Sequence, residues 1–224
     1  MRKYLAFTLI MSFAGALAQA ADEAPAGTEK LQIKLPKPMF VGTPKNLKTP
    51  NLEPARGEKP RPPVYVPAGT ALLSQKAVVT GSDKEPIIGS LDLITDGDKE
   101  GSEGSYVELG PGVQWVQIDL GKVADINALV VWHFHSESRV YHDVVIQIAN
   151  DPDFIDNVQT VFNNDHDNSA GLGIGKDLEY IETYEGRPIA VNSVKGRYVR
   201  LYSNGNTSNQ MNHYTEVEVY GKAK

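Results

Sequence analysis

The chain has 224 residues and a formal net charge of −6, long enough for one large domain, but its composition is uneven. Ten of its 14 prolines fall between Ala21 and Thr70, where 8 Lys/Arg stand against 5 Asp/Glu, whereas residues 71–224 hold 12 against 23. An acidic main body excludes general nucleic-acid binding, which needs a basic face, and the lack of cysteine excludes disulfides, thiolate metal sites and cysteine nucleophiles.

At the N-terminus, Arg2 and Lys3 precede an apolar run from Tyr4 to Leu17, and Ala18-Gln19-Ala20 carries the small-x-small pattern cut by signal peptidase. Residues 1–20 are expected to be a signal peptide removed near Ala20, leaving a secreted or periplasmic chain. The run is shorter than the roughly 20 apolar residues of a spanning helix and none follows it, so no transmembrane segment is expected in the mature chain. From 21 to 70 the motifs Leu35-Pro36-Lys37-Pro38, Thr49-Pro50 and Lys59-Pro60-Arg61-Pro62-Pro63 remove backbone donors and fix φ. This stretch reads as a proline-rich linker with little regular structure. Two uses are open to it: a spacer, or a segment that docks through the apolar islands Met39-Phe40-Val41 and Val64-Tyr65-Val66.

From residue 71 onward, short period-two strands alternate with Gly, Asn and Asp clusters. Val116, Ile118 and Leu120 share one face of a strand, opposite Trp115, Gln117 and Asp119. Residues Ile126 to Phe134 are apolar on both faces and predict a central strand. Val144, Ile146 and Ile148 predict a third strand, Val199 and Leu201 a fourth, and Val217 and Val219 a fifth. With dense Gly/Pro punctuation and no convincing helical stripe, the fold class is all-β, an antiparallel β-sandwich or jelly roll over 71–224 that is expected to fold without the linker.

Three segments in order, Ile94-Thr95-Asp96-Gly97-Asp98, Trp115-Val116-Gln117-Ile118-Asp119-Leu120-Gly121-Lys122, and Gly196-Arg197-Tyr198-Val199-Arg200-Leu201-Tyr202 continuing to Glu216-Val217-Glu218-Val219-Tyr220-Gly221, give this region its character. Together they resemble the discoidin or coagulation-factor type C family, whose members adopt a galactose-binding-like jelly roll. The chain departs from that family in lacking a Trp soon after Asp96-Gly97 and any disulfide clamp. The resemblance implies a non-catalytic binding module, since members bind carbohydrates, phospholipid surfaces or proteins.

Two clusters carry the chemistry. Asp96-Gly97-Asp98 is a carboxylate-turn-carboxylate unit suited to hard Ca²⁺, and the resemblance implies a structural calcium ion held by Asp96, Asp98, Ser102 and Glu216. The second cluster runs through Trp132, His133, His135, Arg139, Tyr141 and His142. Aromatic faces stack on sugar C–H groups and His or Arg donate to hydroxyls, and the resemblance makes His135 and Arg139 the best positional match. Alternation puts Trp132 in the core and His133 and His135 on the opposite face, where zinc is a minor alternative. Asn204, Asn206, Asn209 and His213 precede the last strand, where the resembled family lines its ligand site. The polar loop Asn163 to Ser169, with Asp165, His166 and Asp167, reads as solvated turns or, less favourably, as an acid/base or metal centre. The expected partner is a glycan or glycoconjugate; docking to another envelope protein and action on glycans as an enzyme are the alternatives.

Overall fold

The computed structural model describes residues 24–39, 47, 49–57 and 59–223. The expected signal peptide lies outside the described residues, as do Phe40 and Val41 of the first apolar island. No helix among the described residues is long and apolar enough to cross a membrane.

The described residues form eleven strands in chain order: β1 (Thr28–Lys30), β2 (Tyr65–Pro67), β3 (Ala71–Leu72), β4 (Val78–Gly81), β5 (Val107–Leu109), β6 (Gln114–Trp132), β7 (Val145–Ala149), β8 (Gln159–Asn163), β9 (Arg187–Ser203), β10 (Asn212–Tyr214) and β11 (Glu216–Ala223), with one 3₁₀ turn among them at Leu91–Thr95. The main sheet has seven strands in the order β3-β11-β6-β9-β7-β8, and β4 joins the first half of β6. Each strand pairing is antiparallel, so the all-β expectation holds.

The two strands expected at 115–120 and 126–134 are one bent ribbon, β6, which pairs with β9 along nearly its whole length. Its register shifts between Asp119 and Ala124, where Gly121 takes φ 76° and donates its N–H to Asp119. Arg197 closes the bend from β9 with two hydrogen bonds to Asp119, 2.7 and 2.9 Å. Bending folds the sheet onto itself: one core takes Val116 and Ile118 from before the shift and Ile126, Leu129 and Val131 from after it.

The even-numbered side chains Ala128, Val130 and Trp132 face the other way, into a second apolar cluster with Tyr220, Leu31 and Val66. The last two belong to the proline-rich stretch. Its β1 and β2 pair with each other, Leu31 donates its N–H to the Val64 carbonyl, and Ile33, Val64 and Leu72 pack around them. Apart from these two three-residue strands the described part of 21–70 is irregular, and the strand pair covers the Trp132 face of the sheet. The physical reason is apolar demand: β6 is hydrophobic on both sides and the sandwich interior covers only one. Ion pairs extend the seal, with Glu53 meeting Arg61 at 3.1 Å and Arg187 at 2.7 Å, and Arg56 meeting Glu185 at 3.0 Å.

Candidate functional site

Beyond β6 the chain turns through residues 133–143, and here the expected sugar cluster divides. His133 continues the Leu129/Val131 face into the interior and is 0% exposed, its Nδ1 2.6 Å from Glu182 and its ring stacked on Tyr141 at 4.3 Å. Tyr141 and His213 are enclosed too: the Tyr141 hydroxyl donates to His213 Nδ1 at 2.9 Å, and His213 Nε2 donates to Glu108 at 2.9 Å. His135 is fully buried, with Nε2 donating to the Lys99 carbonyl. Arg139 lies over Phe134 and donates to Glu137, with only a tenth of its side chain exposed. The structure thus places these five, expected as ligand residues, in an interior polar network and not on the cleft wall. Period-two alternation does identify the face opposite Trp132, but that face points into the sandwich, not into solvent. Trp132 itself is buried core, donating its indole N–H to the Tyr184 carbonyl, and Gly186 at φ 65° leaves the space its ring fills.

Four other expected residues meet at a rim. The backbones of residues 140–142 and 204–207 are stitched together: His142 N–H to the Gly205 carbonyl, Asn204 N–H to His142, Thr207 N–H to Val140. That ladder brings His142 and Asn204 to the wall of a polar cleft of about 500 Å³, and Asn206 and Asn209 to an adjoining hollow of about 310 Å³. The amide groups of Asn206 and Asn209 are largely spent within their own turn, holding Ser208, Met211 and each other.

The other walls of the cleft come from Asp143, Asn164, Ser169 and Glu179, from His166 and Asp167, expected mainly as solvated turn residues, and from Pro50 and Asn51 of the proline-rich stretch. Asn164 is locked beside Asp143 because its Oδ1 accepts the Val144 N–H and its own N–H meets the Val144 carbonyl. Glu179 is placed by the docked stretch, donating its N–H to Asn51 and accepting from Glu53. His142 Nδ1 stands 3.1 Å from Glu179 Oε1; this hydrogen bond raises the imidazole pKa above its ordinary value against the opposing effect of burial. Burial alone would raise Glu179, but the hydrogen bond from His142, helped by the nearby Thr49 hydroxyl, prevails and holds it below the usual carboxylate range. Thr49 lies near enough for that influence, yet neither its hydroxyl nor Glu179 Oε2 reaches hydrogen-bond geometry, and Asn164 Nδ2 is likewise buried without a partner. The only signal in the sequence was the amide and carboxylate density of 163–169; nothing local ties that loop to Glu179 or Asn204.

At the Asp96 turn, Gly97 (φ 93°) donates its N–H to Glu216 Oε2 at 3.1 Å, joining the turn to the start of β11 as expected. The four side chains do not converge, however. Both carboxylate oxygens of Asp98 are taken, by the Glu100 N–H and the Ser105 hydroxyl, and Ser102 also faces Ser105. Glu216 is 1% exposed, and burial together with nearby Glu218 and Asp96 pushes its pKa up to about 8 despite the Gly97 bond. Glu218 is neutralised by Lys99 at 2.5 Å.

No protein-family profile matches the chain, and no curated protein does. Solved structures do. A family 89 glycoside hydrolase from Clostridium perfringens in complex with 2-acetamido-1,2-dideoxynojirmycin aligns with 68% of this chain at TM-score 0.52 and 18% identity, and a structure described as truncated AlyQ with CBM32 and alginate lyase domains aligns with 69% at TM-score 0.51 and 17% identity. The aligned part makes up only 15% and 34% of those two chains. At such identity the likeness carries the fold alone, an antiparallel jelly-roll β-sandwich.

Proposed function

We propose that this chain is a non-catalytic carbohydrate-binding module, exported to the periplasm or the exterior, that holds a glycan or glycoconjugate in the cleft lined by His142, Asn164, Glu179 and Asn204. The observation that carries this reading is the pair of unsatisfied groups there, the donor Asn164 Nδ2 and the acceptor Glu179 Oε2. A buried polar group without a partner costs about 1–3 kcal/mol, and a sugar hydroxyl, which donates and accepts at once, relieves both. Fold and composition support the reading: the sandwich is a rigid frame with its polar loops gathered at one cleft, and the acidic body disfavours phosphate ligands. In an oligosaccharide array followed by calorimetry, Asn164→Ala and Asn204→Ala are expected to weaken binding about fivefold or more each, the equivalent of about 1 kcal/mol; Asn204→Ala should change melting little, whereas Asn164→Ala also lowers it because the buried Val144 N–H loses its acceptor. Arg139→Ala is expected to destabilise the domain and leave affinity alone. Binding that follows Arg139 and ignores the two asparagines would return the site to the interior network and sink the cleft.

A structural calcium ion at the Asp96 turn belongs to the same proposal. The residues fit a hard cation in part: Asp96 and Glu216 bracket the turn, and a carboxylate as buried as Glu216 calls for a positive neighbour beyond one backbone N–H. The ion would staple the turn to β11 in a protein that has no disulfide. With extracellular-type affinity, Kd about 0.1–1 mM, a hundredfold excess adds about 2.7 kcal/mol of stability. Melting of the full chain in CaCl₂ against EDTA reads this directly; Asp96→Ala and Glu216→Ala should each abolish the increment, and identical melting in both buffers would remove the ion.

A further inference from the structure

Three carboxylates from two loops converge beside the cleft, with Asp143 and Asp167 on its wall and Asp165 behind them. Asp143, in the left-handed region at φ 52°, follows His142, while Asp165 and Asp167 come from the loop after β8; one oxygen of each lies within 4.8 Å of the others. Calcium–oxygen bonds of 2.3–2.6 Å span such a spacing. The carboxylates are fixed in place: Ser169 Oγ and Asn204 Nδ2 donate to Asp143 at 2.6 and 2.8 Å, the Ser169 N–H reaches both Asp165 and Asp167, and Ala170 N–H reaches Asp165. Clustered acids alone imply no ligand. Here two side chains more than nine-tenths enclosed, Asn164 and Glu179, line the same cleft with an unpaired donor and an unpaired acceptor. Asp165 is 0% exposed, so the ammonium of an amino sugar, carried on a bulky ring, is too large to reach it, while each of its oxygens accepts one backbone N–H and keeps a second lone pair for a bare ion.

We propose that Asp143, Asp165 and Asp167 bind a divalent cation of the calcium class, and that this cation presents a glycan hydroxyl to Asn164 and Glu179. The second half rests on the glycan reading above; the first does not. A hydroxyl oxygen directs lone pairs to the metal and to the Asn164 amide while its proton goes to Glu179, which gives both of these open groups a partner.

The full chain titrated with CaCl₂ alone is the first test, followed by the amide resonances of Ser169 and Ala170. These should shift in wild type and in Glu216→Gln, and should stay still in Asp167→Asn and Asp143→Asn. Because the wild-type resonances report by themselves, poor folding of a variant does not obscure the result; resonances unmoved in wild type at 10 mM CaCl₂, a concentration about tenfold above the weakest extracellular Kd, overturn the site. Galactose- and glucose-based oligosaccharides come next, for which EDTA should cost tenfold or more in affinity. Chelator-insensitive binding that still depends on Asn164 overturns the cation's role in recognition and leaves the glycan reading standing. Selective binding of glucosamine oligomers that strengthens in EDTA overturns the cation in favour of an ammonium. Amides that shift with calcium while no oligosaccharide binds support the ion site and overturn the glycan reading.

Discussion

His213 shows what enclosure does to a titrating side chain. Burial and the Arg139 guanidinium push its pKa down to about 4, outweighing the pull of Glu108 in the other direction. Its 2.9 Å contact with Glu108 is therefore a neutral hydrogen bond at pH 7, not an ion pair, with Nε2–H donating and Nδ1 accepting from Tyr141. The groups facing it are Glu108 on β5, Tyr106 before it, and Arg139, Tyr141 and His133 from the turn after β6. In the unfolded chain the imidazole titrates near 6.5, so as pH falls the unfolded state takes up the proton first. A lowered folded pKa thus contributes stability that is present above about pH 6.5, is lost progressively toward pH 4, and changes no further below that. The span corresponds to an order of 3 kcal/mol at most. Urea unfolding from pH 7.5 to 4 should show this slope in wild type, and His213→Gln should flatten it; an unchanged slope would assign the acid sensitivity to other groups.

At the scale of elements, the centre of the sheet was legible because its strands state their burial: Val116/Ile118, Val199/Leu201 and Val217/Val219 alternate cleanly and all enter the core. The short strands β3, β4, β5, β8 and β10 have two to five residues each, too few for a period to register. The strand pair β1/β2 was obscured in another way. Proline density disfavours helix, and none forms among the described residues of the stretch, but it is silent on whether Leu31, Val64 and Val66 lie against a surface, which depends on the uncovered side of β6. Removing one of these contacts tests the docking. Leu31→Ala should cost about 2–4 kcal/mol, as a core leucine does, where a residue on a free spacer stays within about 0.5 kcal/mol. Thermal or chemical melting of the full chain distinguishes the two, and a silent substitution would mean that the Trp132 face is held by other contacts.

For the whole molecule, the cleft explains why the site was the least legible part. Its walls come from positions near 50, 142, 164–169, 179 and 204, which share no local motif and meet only because the sandwich closes. The same geometry gives the proline-rich stretch two duties: Leu31 and Val66 cover Trp132 and Val130, while Asn51 and Glu53 clasp Glu179 through two backbone hydrogen bonds. Stability and recognition should therefore fall together when that stretch is removed, contrary to the expectation that the domain from residue 71 folds unaided. Compared with a chain starting at Ala21, one starting at Ala71 exposes the indole of Trp132 and the apolar row of β6, frees Arg187 from Glu53 and leaves the Glu179 backbone unpaired. Its transition should be lower and less cooperative, it should bind a hydrophobic dye in the native baseline, and its affinity for any glycan held by Asn164 and Asn204 should drop. Measuring both quantities on one preparation separates the duties. Lost stability with intact affinity would leave the stretch as a cover for the sheet alone, and a shortened chain matching the longer one in both would make it a spacer after all.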